Sequence, residues 1–315
     1  MTVTAPATPT APAAGAPTAA TGPDTAPPRP RSRRSRTLRV LTRRPGRVVG
    51  LAIIVLFALM AAFGPLLYPG QIAVDPEAIY APPGAEHWLG TDFAGSDVLQ
   101  EVVVGARYVL LTAAIAAVVT AATGTVVGLV AGYRRGLADS GLMRITDFVL
   151  TLPGLPLLIV LSTLWSFSSP LQMGLVLGVT GWGGVARAVR SQTLSLRERG
   201  FLEAARGLGL SGRHILFREL LPNIAPYVAM NLLLSVIGFI GAEVALFFLG
   251  VVPFSSENWG VMLNQAVFSG GVMSSPEALA YLLAPLTCIL LITLGIVLFM
   301  DAVDELFNPR LRERA

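Results

Sequence analysis

The sequence predicts an all-α membrane protein with six transmembrane helices. Three observations carry that expectation: the composition, the apolar runs and the distribution of arginine. Of 315 residues, 53% are hydrophobic and 13% charged, with a mean hydropathy of +0.67, against about a quarter charged in a soluble domain. All 23 basic residues are arginine. A Walker A loop needs its lysine, so this chain carries no ordinary P-loop. Cys288 is the single cysteine and lies in an apolar run, which rules out an intrachain disulfide and a thiol cluster for a metal. The two histidines, His87 and His214, are too far apart in sequence to make a zinc site.

Residues 1–30 are Ala, Pro and Thr with almost no large apolar side chains. Such a segment cannot bury enough surface to offset ordering, and it is expected to be a disordered tail. The basic stretch Arg29 to Arg47 comes too late, and the apolar run after it is too long, for a signal peptide. About 20 apolar residues cross the hydrocarbon layer as a helix. Read in order, the spans are Val48 to Leu67, about Tyr108 to Tyr133, about Ile145 to Trp165, Leu171 to about Val189, about Ile224 to Leu249, and about Leu279 to Met300. The link Ser166 to Pro170 joins the third to the fourth, whose glycines dilute its hydropathy.

Cytoplasmic flanks retain basic residues. Arg29 to Arg47 places the N-terminus inside, and six spans return the C-terminus inside. Arg134, Arg135 and Arg144, then Arg187 through Arg218, then Arg310, Arg312 and Arg314 all fall inside on this reading, and only Arg107 falls outside. The outer segment Pro69 to Arg107 carries Asp75, Glu77, Glu86, Asp92, Asp97 and Glu101, and the one after Leu249 carries Glu257 and Glu277. Depletion of arginine from translocated loops accounts for this acidity, the other reading being a face for a binding protein or cationic solute.

Gly124, Gly128 and Gly132 recur at i, i+4 and i+8, one face on which backbones can approach closely. Packing within the bundle is the ordinary reading; lining a pathway or meeting a partner subunit is the other. Gly174, Gly178 and Gly181 mark the fourth span in the same way. Glu243, an ionisable residue in the fifth span, is a candidate gate or pathway residue, or a structural hydrogen-bonding group near the outer end. Asp147, near the inner interface, is expected to pair with a nearby arginine such as Arg144.

Between the fourth and fifth spans lies the segment 198–223. Phe201, Ala204, Ala205 and Leu208 recur at helical spacing; Gly207, Gly209 and Gly212 interrupt; Ile215, Leu216, Leu220 and Leu221 resume. This predicts a helix, a tight turn and a second helix with Ser211 as its N-cap, ended by Pro222 before the fifth span. Such a pair either lies on lipid headgroups or serves as a peg for a soluble partner.

Here the chain resembles a known family. Glu203-Ala204-Ala205, then Gly209, then Leu221-Pro222 match the EAA loop of ABC importer permeases in type and spacing, with Glu219 where an aliphatic residue is usual. The likeness runs from about residue 40 to 310. It includes His87-Trp88-Leu89-Gly90-Thr91-Asp92, Gly105-Ala106-Arg107, Gly132-Tyr133, Leu152-Pro153-Gly154, Phe248-Leu249-Gly250, Trp259-Gly260 and Asn308-Pro309-Arg310. These resemble the C-type permease of the dipeptide, oligopeptide and nickel branch.

The resemblance implies a type I ABC importer permease fold. Residues 31–107 would form the basic segment, first span and acidic outer loop, residues 108–306 the permease core, and 307–315 a cytoplasmic tail. It implies a coupling helix in 198–223 that enters a cleft of the ATPase, with Glu203, Ala204, Ala205, Gly209, Leu221 and Pro222 as the coupling residues. The implied partners are a second homologous permease, two ATPases, an extracellular solute-binding protein and membrane lipid, with no nucleic acid. No cofactor is expected in this chain; ATP and Mg belong to the partner ATPase, and the chain itself is not an enzyme. Peptides are the expected cargo in the bacterial cytoplasmic membrane, with a metal chelate or sugar as the alternative solute. A secondary transporter is the rival from another class, and an intramembrane hydrolase fails for want of a Gly-x-Ser-x-Gly, a His-Glu-x-x-His or paired membrane aspartates.

Overall fold

The computed structural model describes residues 44–69, 72–165, 167, 169–252, 258–269 and 278–307. The predicted tail 1–30, the arginines before residue 44, Glu257, Glu277 and the ending from Asn308 through Arg314 lie outside them.

Helix α1, Pro45–Leu67, begins with proline at its first position, where the missing N–H would have had no partner in any case. It packs along α9, Leu279–Phe307. Gly50 makes this possible, because a Cβ there would lie 2.8 Å from the Gly295 carbonyl. Arg47 is 5% exposed and pairs with Glu305 of α9.

The second predicted span begins well before Tyr108. Helix α2 is continuous over 37 residues, Val98–Arg134, about 55 Å at 1.5 Å per residue. Asp97 caps it, accepting from the Gln100 N–H at 3.1 Å, and its other oxygen lies 2.9 Å from His87 Nδ1. Before it, 72–97 is an ordered loop. Asp92 is 2% exposed and accepts from the backbone N–H of Ala94 and Ser96, while Gly95, at φ +87°, presses against the Asp75 backbone where no Cβ would fit.

The third predicted span is not straight. Helix α3, Gly136–Thr151, and α4, Gly154–Leu164, meet at 81°. The cause is local: Pro153 drives Leu152 out of the helical region, to ψ 127°.

Helix α5, Pro170–Arg197, runs parallel to α2 in the most extensive helix–helix contact among the described residues. Gly174 and Gly178 of α5 receive Ile115 and Val119 of α2. Further along, Gly124, Gly128 and Gly132 of α2 receive Val185, Val189 and Thr193 of α5. The glycine stripe therefore packs within the chain's own bundle. Two arginines of α5 also hold α3. Arg190 is bidentate to Asp139 at 2.6 and 2.7 Å, and Arg187 lies 2.5 Å from Asp147, which thus pairs across to α5 rather than with Arg144 beside it.

After a short helix α6, Gly200–Gly207, the chain enters α7, Gly212–Phe248, again 37 residues without a break. Pro222 therefore does not end a separate helix, contrary to expectation. Residues Ile215–Leu220 are π-helical, and Leu221 N–H donates to Leu216 O, five residues back. The wider turn moves carbonyls away from the proline ring, which has no N–H to give, so the helix passes through. Helix α8, Trp259–Phe268, completes the set.

Among the described residues, four helices (α1, α2, α7 and α9) are long and apolar enough to cross a membrane, or five if the bent pair α3–α4 is one span. Helix α5 has the length, but its glycines and Gln172, Arg187, Arg190 and Gln192 dilute its hydropathy. The chain is an all-α membrane protein with three apolar clusters. One gathers Phe57, Val102, Trp259, Tyr281 and Ile292; a second Tyr108, Leu177 and Phe247; a third Leu129, Val189, Leu202, Ile215 and Ile224.

Candidate docking segment at the arginine-rich end

The third cluster seats the segment 198–223. Helix α6 has one apolar stripe, and Leu202 and Ala205 on it are buried against Val189 of α5 and Ile215, Leu216 and Leu220 of α7. Glu203 and Ala204 lie on the other side of the helix and are exposed, while Arg206, also exposed, lies at the edge that faces Tyr133 of α2. Burial of one face against the bundle leaves the other free for a partner.

The turn after α6 requires glycine. Gly209 has φ +71°, in the left-handed region that costs a side chain roughly 1–2 kcal/mol, and a Cβ there would meet nothing within 4 Å. Backbone conformation, not space, thus selects glycine. Immediately before it, Leu208 is 79% exposed at the tip. Ser211 then caps α7, accepting from His214 N–H at 3.3 Å. Leu221 packs against the third cluster and Pro222 is exposed. Of the sequence-predicted residues, Ala205 and Leu221 thus share one apolar cluster, while Glu203, Ala204, Gly209 and Pro222 face outward.

Tyr133, at the end of α2, lies at the centre of this segment. Arg197 Nη1 of α5 donates to its carbonyl at 2.8 Å. The Arg206 guanidinium of α6 sits 5.7 Å from its ring centroid. Gly212, at the start of α7, comes so near that a Cβ would lie 3.4 Å from the ring. One residue thus meets the end of α5 through its carbonyl, and the end of α6 and the start of α7 through its ring. Sequence reasoning missed this role, because a Gly-Tyr pair at a helix end carries no signal of what folds over it.

Glu243 is elsewhere, roughly 30 Å further along α7 at 1.5 Å per residue. It is fully buried. Its Oε1 accepts from Asn258 Nδ2 at 2.7 Å, the Asn258 Oδ1 accepts from the Gly260 N–H at 2.7 Å, and Thr112 of α2 stands beside the carboxylate. Next to them Trp259 donates its indole N–H to the Val102 carbonyl at 3.0 Å and packs edge-on to Phe57. The group joins α2, α7 and α8 through buried polar contacts. Asn258 caps α8, a role the sequence reading did not assign, and its contact with Glu243 joins residues that no local pattern connects. Among the described residues no group of three His, Cys, Asp or Glu side chains is placed to hold a metal.

Comparison with known proteins adds what geometry does not contain. Residues 124–313 match the family model described as the binding-protein-dependent transport system inner membrane component. Residues 32–83 match the N-terminal TM domain of oligopeptide transport permease C. The chain is 33% identical over 284 residues to the oligopeptide transport system permease protein OppC of Mycobacterium tuberculosis, covering 89% of this chain and 96% of that one. It is 37% identical over 227 residues to the dipeptide transport system permease protein DppC of Bacillus subtilis, covering 70% and 69%. It is also 30% identical over 275 residues to OppC of the same organism, covering 84% and 86%.

Proposed function

The chain belongs to the family of binding-protein-dependent transport system inner membrane components, and on that premise we propose that it is the C-type permease subunit of an ATP-driven importer of di- and oligopeptides. The observation that carries this reading is the segment 198–223. It has one face packed into the bundle and an exposed face holding Glu203, Ala204 and the tip at Leu208 and Gly209. A peg so built moves with the bundle and presents its free face to a soluble partner. Glu203, Ala204, Ala205, Gly209, Leu221 and Pro222 form the ATPase-coupling element. Closure of the ATPase dimer on ATP pushes α6 and switches the bundle between two packed states, which opens the pathway to one side and then the other.

The proposed assembly holds a second homologous permease, two ATPase subunits carrying ATP and Mg, and an extracellular solute-binding protein. Six spans with both termini cytoplasmic follow if α3–α4 counts as one and α5 as another; the arginine bias supports that orientation. A core of 108–306 would be preceded by an N-terminal unit, 31–107. Glu243 serves as a structural tie between α7 and the segment entering α8, a reading supported by its full burial and its contact with Asn258.

The test is copurification of the chain with the products of its neighbouring genes, followed by ATPase assay with and without loaded binding protein. Hydrolysis that rises with the loaded binding protein, and collapses when Glu203 or Gly209 is replaced, is the expected result. A chain that recovers no ATPase and is indifferent to those replacements would sink the importer reading in favour of a secondary transporter.

A further inference from the structure

Transmission of the ATPase stroke needs contact between the peg and a membrane helix as well as between the peg and its partner. Helix α6 meets the bundle through two apolar side chains, Leu202 and Ala205, and apolar contacts alone set no direction. The directional contact of α6 with a membrane helix is Arg206 over the Tyr133 ring, 5.7 Å from its centroid. A guanidinium is drawn to the ring face electrostatically and loses that attraction when displaced sideways.

Resting on the importer reading above, we propose that Tyr133 is a positioning residue for coupling, a latch through which displacement of α6 reaches α2. Three neighbours hold Tyr133. Arg197 anchors the Tyr133 backbone carbonyl to α5 at 2.8 Å. Gly212, at the start of α7, lies beside the ring, where a Cβ would stand at ordinary contact distance, 3.4 Å. Arg206 covers the ring from α6. Beyond Tyr133 the path is rigid. Helix α2 runs unbroken from Val98 to Arg134, and the end opposite Tyr133 meets the buried group of Glu243, Asn258 and Trp259 through Val102 and Thr112. A push on Arg206 therefore acts on a rod that spans the bundle.

The proposal makes Tyr133 necessary for conversion of hydrolysis into movement and dispensable for assembly. The test uses the full assembly in proteoliposomes, with Tyr133→Phe, Tyr133→Leu, Arg206→Gln and the Leu/Gln double variant. ATP hydrolysis, its stimulation by loaded binding protein, and peptide uptake per ATP are read for each. Tyr133→Phe keeps the ring and is expected to match the wild type. Tyr133→Leu and Arg206→Gln are each expected to copurify the ATPase and hydrolyse ATP, with uptake per ATP down about two- to fivefold, the range of an exposed cation–π contact. The double variant is expected to be no worse than the poorer single, because both remove one contact.

Uptake per ATP unchanged in Tyr133→Leu, a loss in Tyr133→Phe equal to that in Tyr133→Leu, or fully additive losses in the double variant would each overturn the latch. If Tyr133→Leu does not assemble, Tyr133 is a folding residue and the necessity claimed for coupling alone is wrong. A wild-type chain that recovers no ATPase overturns the importer reading and the latch together. One that couples normally while Tyr133→Leu also couples overturns the latch alone.

Discussion

Replacement of Gly128 by alanine should measurably weaken the protein, although it adds one methyl group in the middle of a helix. A Cβ at Gly128 would lie 2.5 Å from the Ala186 carbonyl oxygen, 2.8 Å from Val189 Cβ and 2.9 Å from the Arg190 nitrogen. Non-bonded carbon atoms rest about 3.5 Å apart, so α2 and α5 would have to part by nearly 1 Å. Two of the three obstacles are backbone atoms and cannot rotate away. The neighbouring glycines of the stripe hold the helices equally close, so separation at one point strains the others. Overpacking of this kind costs about 1–3 kcal/mol. The two backbone obstacles place the cost in the upper part of that range, about 2–3 kcal/mol; alanine offsets up to about 1 kcal/mol by its better helix propensity, and the net loss is roughly 1–2 kcal/mol. For a domain of this size that is a fall of about 2–8 °C in the melting midpoint. The assay is thermal unfolding of the detergent-solubilised chain at one fixed scan rate, because an irreversible midpoint moves with the rate. Gly184→Ala, one turn away from Gly181 on α5, is the control, since a Cβ there meets nothing within 4 Å; it should leave the midpoint unchanged or raised. A Gly128→Ala protein that melts with or above the wild type would refute the close-packing argument.

Three further outcomes follow from particular contacts. Asn258→Ala should destabilise by about 1–3 kcal/mol, since it leaves the buried Glu243 oxygen without its donor; Glu243→Gln should cost less, and unfolding midpoints that rank the other way would count against a structural tie. Arg190→Gln removes the fork that holds Asp139, so hydrogen exchange in α3 should quicken while α2 is unaffected; unchanged exchange in α3 would show that the apolar contacts alone seat it. Gly209→Val should impair coupling through backbone strain at φ +71°, whereas Gly209→Asn, which enters that region more readily, should retain more uptake per ATP; equal loss in both would point to contact with the partner instead.

How much was legible differs by element. The apolar spans of α1, α7 and α9 were readable because a membrane helix must be apolar along its length, and nothing further away enters that requirement. The start of α2 was not, because its first turns lie in an acidic, mixed segment whose helicity depends on the Asp97 cap and on packing of Val98 and Val102 into the first cluster. The Pro153 break could be seen as a proline but not as an 81° bend. Pro222 misled for a related reason: proline was read as a stop, and the π turn before it, which lets the helix continue, arises from the packing of Ile215, Leu216 and Leu220. Asp147 illustrates the same limit, since Arg144 is nearer in sequence while Arg187 is nearer in space.

By itself the sequence determined the solvent this protein lives in, its helical class, the arginine asymmetry between its ends, and the spacing of the segment 198–223 that identifies its family. Those properties are set by one-dimensional patterns: the length of an apolar run, the period of a stripe, the order of a motif. Only the tertiary structure decided which helix the glycine stripe receives, which aspartate each arginine holds, that Glu243 is tied to Asn258, and that Tyr133 touches three elements at once. Each of those depends on residues far apart in the chain, and their partners are chosen by the crossing of helices in space, which no local pattern encodes.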